Sequence, residues 1–165
     1  MTSAKQTIQI AGAFDMRRGG SLQSPTVAFE TWGTLNEHRD NAVLIFTGMS
    51  PSAHATSSQA DPSPGWWEEI VGPARPIDTR HYFVICVNSL GSCFGSTGPA
   101  SVDPSTGERY DLRFPVLSLE DVAAAGKAVL DALQIRSLYS LVGPSMGGMT
   151  ALAVAAQYPE MARSR

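Results

Sequence analysis

The sequence is poor in cysteine and has no long apolar run. Its 165 residues include two cysteines, Cys86 and Cys93, which have neither the spacing nor the neighbours of a metal site. No apolar stretch has the ~18 residues that a membrane-spanning helix needs, and no signal-peptide pattern is found. We therefore expect core or loop thiols in a cytoplasmic protein, with no metal and no membrane partner.

Basic residues are scarce as well. Twelve Lys and Arg stand against 15 Asp and Glu, the net charge is −3, and no basic cluster occurs. This balance argues against a nucleic-acid partner, and an anionic substrate has to be met by local groups. Hydrophobic residues at 43% and charged residues at 16% are ordinary for one globular domain with its own core.

The segment Gly143-Pro144-Ser145-Met146-Gly147 joins a short apolar run to a helix-like segment. In this context it resembles the nucleophile elbow of α/β-hydrolase enzymes, where a strained turn lifts a serine hydroxyl above a sheet. Glycine is expected on both sides because a Cβ would clash between strand and helix. Ser145 is the candidate nucleophile and the backbone N–H of Met146 a candidate oxyanion donor; the alternative is a structural turn.

Apolar patterns predict alternating strands and helices. Strands are predicted at 6–10, 26–33, 42–46, 82–87 and 137–142, the first two as a hairpin and the others as buried parallel strands. Helices are predicted at 65–72, from Ser118 to Gln134 with a capping box to Asp121, and from Met149 to Tyr158. The expected fold is α/β, a mostly parallel sheet with helices on both faces, with a long functional loop at 88–115.

A catalytic serine needs a base in hydrogen-bond reach and an acid that orients the base. In this fold the acid and then the histidine follow the nucleophile in the chain. Only 20 residues follow Ser145, none is a histidine, and their sole carboxylate, Glu160, is interpreted as solvated. We therefore expect residues 1–165 to be the N-terminal part of one α/β-hydrolase domain whose acid, histidine and lid lie beyond Arg165.

The loop after the predicted strand at 42–46 is where such enzymes place their second oxyanion donor, and the Met49 backbone N–H is our candidate. His54, in the same loop, is interpreted as a hydrogen-bonded loop residue or as a substrate contact. Other residues are given structural interpretations: His38, His81, Arg17 and Arg18 as solvent-facing, and Trp66 and Trp67 as packing residues.

Several motifs in order resemble the homoserine O-acetyltransferase family of α/β-hydrolase-fold acyltransferases. The match extends from about Val27 to Pro159 and includes Asn41-Ala-Val-Leu-Ile, Gly65-Trp-Trp-Glu, Ile77-Asp-Thr-Arg-His-Tyr, Asn88-Ser-Leu-Gly-Ser-Cys-Phe-Gly-Ser-Thr-Gly-Pro and Gly143-Pro-Ser-Met-Gly-Gly-Met. The resemblance implies that Ser145 takes an acyl group from acyl-CoA and passes it to the hydroxyl of an amino acid. It also implies a cytoplasmic homodimer that serves methionine or cysteine synthesis, without a permanently bound cofactor.

One loop departs from the usual family pattern. The acetyltransferases carry a His-Ala-Leu-Thr-Gly-type loop, whereas this chain has Phe46-Thr-Gly-Met-Ser-Pro-Ser-Ala-His54 and resembles the serine O-succinyltransferase branch. The resemblance implies that substrate choice is set by residues of this loop: Met49, Ser50, Pro51, Ser52 and His54. Succinyl-CoA and L-serine are the favoured substrates, followed by acetyl-CoA and L-homoserine.

Two other functions remain open on the sequence. A serine hydrolase, such as an esterase, would use the same Ser145 with water as the acceptor. A non-catalytic truncated domain would keep the elbow without its acid and base.

Overall fold

The computed structural model describes residues 4–161. Nine strands, two α-helices and one 3-10 turn (Asp111–Arg113) are found in this range. The strands are β1 Gln6–Gln9, β2 Ala13–Asp15, β3 Ser21–Gln23, β4 Thr26–Trp32, β5 Ala42–Phe46, β6 Val71–Gly72, β7 Ile77–Asp78, β8 Phe83–Val87 and β9 Ser140–Val142. The helices are α1 Leu119–Ala132 and α2 Met146–Gln157.

A five-stranded sheet in the order β1-β4-β8-β5-β9 forms the centre of the molecule. β5 is parallel to both β8 and β9, whereas β4 is antiparallel to β8 and β1 is antiparallel to β4. The predicted hairpin partners are therefore confirmed as antiparallel neighbours. The turn at 17–20, however, belongs to a separate small ribbon of β2 and β3, which the sequence pattern did not predict.

The two faces of the sheet are covered differently. Leu44 and Phe46 of β5 pack with α1 and α2, while Val43 and Ile45 point to the other face. There the cover is an irregular segment that includes Trp66 and Trp67, partly buried and stacked with ring centroids 5.0 Å apart. The packing interpretation of this tryptophan pair is confirmed.

The predicted helix at 65–72 is wrong. Residues 66–70 form a turn, and Val71–Gly72 pairs with Ile77–Asp78 as a short parallel strand. A Cβ at position 65 would overlap the backbone of Ala55, so Gly65 lies directly against that loop. The Glu68 carboxylate accepts from the backbone N–H of Gly65 at 2.7 Å and thereby holds the turn closed.

Helix α1 begins where its capping residues predict. The Ser118 side chain accepts from the Asp121 backbone N–H, and the Asp121 carboxylate accepts from the Ser118 N–H at 2.8 Å. This reciprocal pair satisfies two donors that the first turn of a helix leaves unbonded. The loop from 88 to 115 is irregular as predicted, apart from the 3-10 turn and one bridge between Val102 and Arg109.

The cysteines lie in the core and in a loop, as predicted. Cys86 is buried in β8 and Cys93 is exposed in the long loop. Burial, followed by the nearby Glu30 charge, raises the pKa of the Cys86 thiol far above its ordinary value. Cys86 is therefore a packing residue and not a nucleophile.

Candidate active site

Ser145 lies in a strained turn between β9 and α2. Its backbone has φ 53° and ψ −123°, a combination that a residue with a side chain rarely adopts. Such a conformation costs about 1–3 kcal/mol and persists only where the surrounding structure imposes it. The side chain is exposed, and its hydroxyl has no hydrogen-bond partner among residues 4–161.

Two glycines allow the strand and the helix to approach each other at this turn. A Cβ on Gly147 would overlap the carbonyl oxygen of Phe46, at the end of β5. A Cβ on Gly143 would overlap the backbone of Gly147 itself. The expectation that this turn requires small residues is confirmed.

The two backbone N–H groups predicted to be oxyanion donors are those of Met146 and Met49. The Met146 N–H belongs to the first turn of α2, where helical hydrogen bonding leaves donors unpaired. Neither this N–H nor that of Met49 has an acceptor within residues 4–161. Gly48 lies against Ser145, because a Cβ built on it would stand 3.9 Å from the Cβ of Ser145.

The loop at 47–55, which we call the oxyanion loop, has one free half and one anchored half. No backbone hydrogen bond is found for residues 48–50 in the described range. The Met49 residue is 81% exposed, and Ser50 is exposed too, whereas Pro51 and Ser52 are half-buried. Ala53 and Ala55 are fully buried and belong to the anchored half.

Two side chains from other segments hold the anchored half. The Asn88 side chain, buried after β8, accepts from the Ala53 N–H at 2.7 Å and donates to the Phe94 carbonyl at 3.0 Å. The Trp66 indole N–H donates to the Ser52 carbonyl at 2.8 Å. Asn88 thus joins the oxyanion loop to the long loop at the same edge of the sheet.

His54 uses both ring nitrogens inside the protein. Nδ1 lies 2.9 Å from Oε2 of Glu30, and Nε2 lies 2.9 Å from the carbonyl oxygen of Ser63. Burial lowers the pKa of His54, but the hydrogen bonds to Glu30 and Ser63 and the charges of Glu30 and Asp61 outweigh it, so the pKa is raised. His54 has no free lone pair with which to accept the proton of Ser145.

The remaining candidates are solvent-facing, with two qualifications. His38, His81 and Glu160 are exposed, as predicted. Arg17 is exposed but its Nε lies 3.6 Å from Glu120 Oε1. Arg18 is exposed at a cavity of about 380 Å³ whose lining includes Ser89, Leu117 and Met146, so it borders the site.

A family model described as the alpha/beta hydrolase fold matches residues 41–164. This range covers most of the chain and includes the elbow, the oxyanion loop and the strands that hold them. The chain belongs to the α/β-hydrolase fold family.

Curated relatives within the α/β-hydrolase family include acyltransferases. The chain is 57% identical over 159 residues to a serine O-succinyltransferase of Litchfieldella anticariensis, covering 96% of this chain and 43% of the relative. It is 58% identical over 161 residues to an L-serine/homoserine O-acetyltransferase of Streptomyces lavendulae, covering 98% and 43%. The chain thus spans about two fifths of the length of these relatives.

A solved α/β-hydrolase structure of a different activity is similar as well. Esterase E22 superimposes with a TM-score of 0.87 at 37% identity, covering 96% of this chain and 45% of the esterase chain. Fold similarity therefore extends to enzymes that transfer acyl groups and to enzymes that hydrolyse esters.

Sequence reasoning found the strained turn at Ser145, the candidate nucleophile, but missed the residues that support the neighbouring loop. Glu30 stands in an alternating strand, and Asn88 opens a polar loop, so neither was singled out. Their partners come from segments that only the folded sheet brings together. Within residues 4–161, no helix has the length and hydrophobicity to span a membrane.

Proposed function

We propose that the protein expressed from its complete reading frame is an acyl-CoA-dependent O-acyltransferase. Ser145 attacks the thioester carbonyl, the CoA thiol leaves, and the acyl group is then passed to the hydroxyl of L-serine or L-homoserine. The observation that carries the proposal is the strained, exposed Ser145 between the free N–H groups of Met146 and the oxyanion loop. The names of the curated relatives support the acyl transfer.

The two N–H groups of Met146 and Met49 serve as the oxyanion hole in this mechanism. Each tetrahedral intermediate places a negative oxygen beside Ser145, and preformed donors stabilise it without reorganisation. Loss of one such donor typically costs about 3–4 kcal/mol. The base that takes the Ser145 proton, and the acid that orients it, are proposed to follow the elbow in sequence, because His54 is already hydrogen bonded at both nitrogens.

Substrate choice is proposed to lie in the loop segment formed by Met49, Ser50, Pro51, Ser52 and His54. Succinyl-CoA is the favoured donor and L-serine the favoured acceptor, with acetyl-CoA and L-homoserine next; both kinds of name occur among the relatives. The exposed guanidinium of Arg18, at the cavity that reaches Met146, supports a donor whose acyl chain ends in a carboxylate. The proposal further includes a cytoplasmic homodimer in cysteine or methionine synthesis.

Mass spectrometry of the acyl-enzyme tests the proposed function. Ser145 is expected to gain the acyl group of succinyl-CoA or acetyl-CoA, and Ser145→Ala to gain neither, while Ser105→Ala, at an exposed serine of the long loop, behaves as wild type. CoA release should then depend on added L-serine or L-homoserine. A wild-type protein that stays unmodified by both thioesters contradicts the proposal.

An esterase is the second candidate, favoured by the similarity to esterase E22. In that case water replaces the amino acid as the acceptor, and hydrolysis of a p-nitrophenyl ester proceeds at a rate that added L-serine or L-homoserine does not change. A wild-type protein that lacks both activities supports a non-catalytic domain.

A further inference from the structure

The ring of His54 is hydrogen bonded on its two sides to two segments that are distant from each other in sequence, an arrangement we call the clamp. On one side is Glu30 of β4, whose side chain is 8% exposed; the His54 side chain is 14% exposed. On the other side is the Ser63 carbonyl oxygen, in the segment that covers the sheet face opposite the helices. Glu30 pairs in register with Cys86 of β8, so the clamp is fixed to the central sheet.

The two partners of His54 favour the doubly protonated ring. A carbonyl oxygen only accepts hydrogen bonds, and an ionised carboxylate also only accepts. Paired with an ionised Glu30, the ring donates from both nitrogens as an imidazolium, which is the form that the raised pKa of His54 favours. The other groups that face the ring are Asp61, with Oδ2 3.9 Å from Nδ1, and the Ser63 hydroxyl, 3.3 Å from Nε2.

The ion pair is reachable by solvent from one side. Glu30 and His54 line a cavity of about 600 Å³, and Lys5, Asp61 and Cys93 contribute to the same lining. Protons can therefore exchange with water, so the pair can follow the pH of the solution.

His54 lies in the anchored half of the oxyanion loop, five residues after Met49. Since residues 48–50 have no backbone hydrogen bonds in the described range, the two ends of the loop decide where the Met49 N–H lies. One end is the buried strand β5, and the other is the segment 53–55, tied by Asn88 and by His54.

We propose that Glu30 and His54 are positioning residues of the reaction, whose ion pair holds the oxyanion loop so that the Met49 N–H meets the oxyanion on Ser145. The inference rests on the proposed function. Neither side chain touches the reacting atoms, and both act through the backbone of the loop. A shift of the loop by about 1 Å is enough to lower the rate by ~10²-fold, because oxyanion donors act only at the right distance.

The test measures single-turnover acylation of Ser145 by the thioester that the wild-type protein uses, with the protein expressed from its complete reading frame. We expect His54→Ala and Glu30→Leu to lower the maximal acylation rate by about 10- to 100-fold, while the half-saturating thioester concentration changes less than about threefold. His38→Gln is the matched control, because His38 is exposed in the turn before β5, at the other end of that strand from the oxyanion loop.

Glu30→Gln separates the geometry of the clamp from its charge. A carboxamide can donate to Nδ1 of a neutral imidazole whose Nε2–H still donates to Ser63. We expect this variant to acylate within about fivefold of the wild type at neutral pH, since the loop stays held. In the wild type, acylation falls at alkaline pH with the same midpoint as the His54 titration seen by NMR of labelled histidine. In Glu30→Gln that decline is absent.

Two outcomes overturn the inference. One is a folded His54→Ala protein that acylates within twofold of the wild type. If His54→Ala does not fold, the pH profile of Glu30→Gln decides, and an unchanged alkaline decline overturns the inference. A wild-type protein that accepts no acyl group from either thioester contradicts the proposed function instead.

Discussion

The carbonyl oxygen of Phe46 occupies the space that a side chain on residue 147 would need. This contact brings the first turn of α2 directly onto the end of β5, the strand that leads into the oxyanion loop. This backbone contact therefore fixes the elbow against the strand end from which the oxyanion loop starts.

Gly147→Ala is expected to destabilise the protein by at least about 3 kcal/mol, because the new Cβ meets backbone atoms that cannot rotate away. Urea unfolding monitored by circular dichroism measures this loss. Gly107→Ala is the matched control: Gly107 has φ 73° with nothing within 4 Å of an added Cβ, so it should lose only about 1 kcal/mol of backbone energy. Equal losses in the two variants would show that the contact is unimportant.

Ser145→Gly is expected to be more stable than Ser145→Ala by about 1 kcal/mol, although both variants lose the proposed nucleophile. Glycine adopts a positive φ without a Cβ penalty, whereas alanine keeps the strain of the serine. The difference is measured from the midpoints of the two urea unfolding curves, whose slopes are expected to be equal. If Ser145→Ala is as stable as Ser145→Gly, the backbone of residue 145 is not strained.

Asn88→Ala is expected to cost about 2–3 kcal/mol and to slow acylation. The substitution leaves the buried Ala53 N–H without its acceptor and the Phe94 carbonyl without its donor. Asn36→Ala, which removes exposed hydrogen bonds to Asp40, should cost less than about 1 kcal/mol. Chemical denaturation and single-turnover acylation, measured on both variants, separate the stability effect from the effect on the oxyanion loop.

The stability of the protein should contain a component that follows His54. Its pKa in the folded state is raised above the ordinary 6.5 by Glu30 and Ser63, against the opposing effect of burial. The contribution is therefore complete below about pH 6.5 and is lost as the pH rises through the folded-state pKa. Urea unfolding from pH 6 to pH 9 should show this loss in the wild type and in His38→Gln, but not in His54→Ala.

Arg18→Gln should distinguish the two thioester donors if the cavity beside Met146 receives the acyl chain. We expect the KM for succinyl-CoA to rise about tenfold, because a guanidinium–carboxylate contact is lost, and the KM for acetyl-CoA to stay within about twofold. Arg113→Gln, at an exposed arginine of the long loop paired with Glu108, is the control. An equal change in the KM of both thioesters would mean that Arg18 does not bind the carboxylate of the succinyl group.

Features encoded by neighbouring residues could be predicted from the sequence. Ser118 and Asp121 form a reciprocal cap within one helical turn, and the continuous apolar run of β5 indicates burial on both faces. The two glycines that flank Ser145 are only four residues apart. Each of these signals is local, so each can be recognised without knowledge of the rest of the fold.

Features that depend on distant segments could not be predicted. The apolar residues at 66–70 suit a helix, but the backbone N–H groups of Trp66 and Trp67 donate to the carbonyl oxygens of His54 and Ala55 and tie the segment to that loop. Glu30 has the pattern of a solvent-facing strand residue until His54 is brought against it by the sheet. In both cases the deciding partner is separated by about 10 residues or more and adds no local pattern to the sequence.

The pairing of β5 with β9 has a consequence for the order of folding. Val43 meets Ser140, which is about a hundred positions later in the chain, so this contact closes a long loop and carries a large entropic cost. The unusual backbone of Ser145 can be imposed only once β9 has joined the sheet. We therefore expect elbow substitutions to change the rate of unfolding far more than the rate of folding. A nascent chain would acquire the strained geometry of Ser145 late, after most of the sheet has formed.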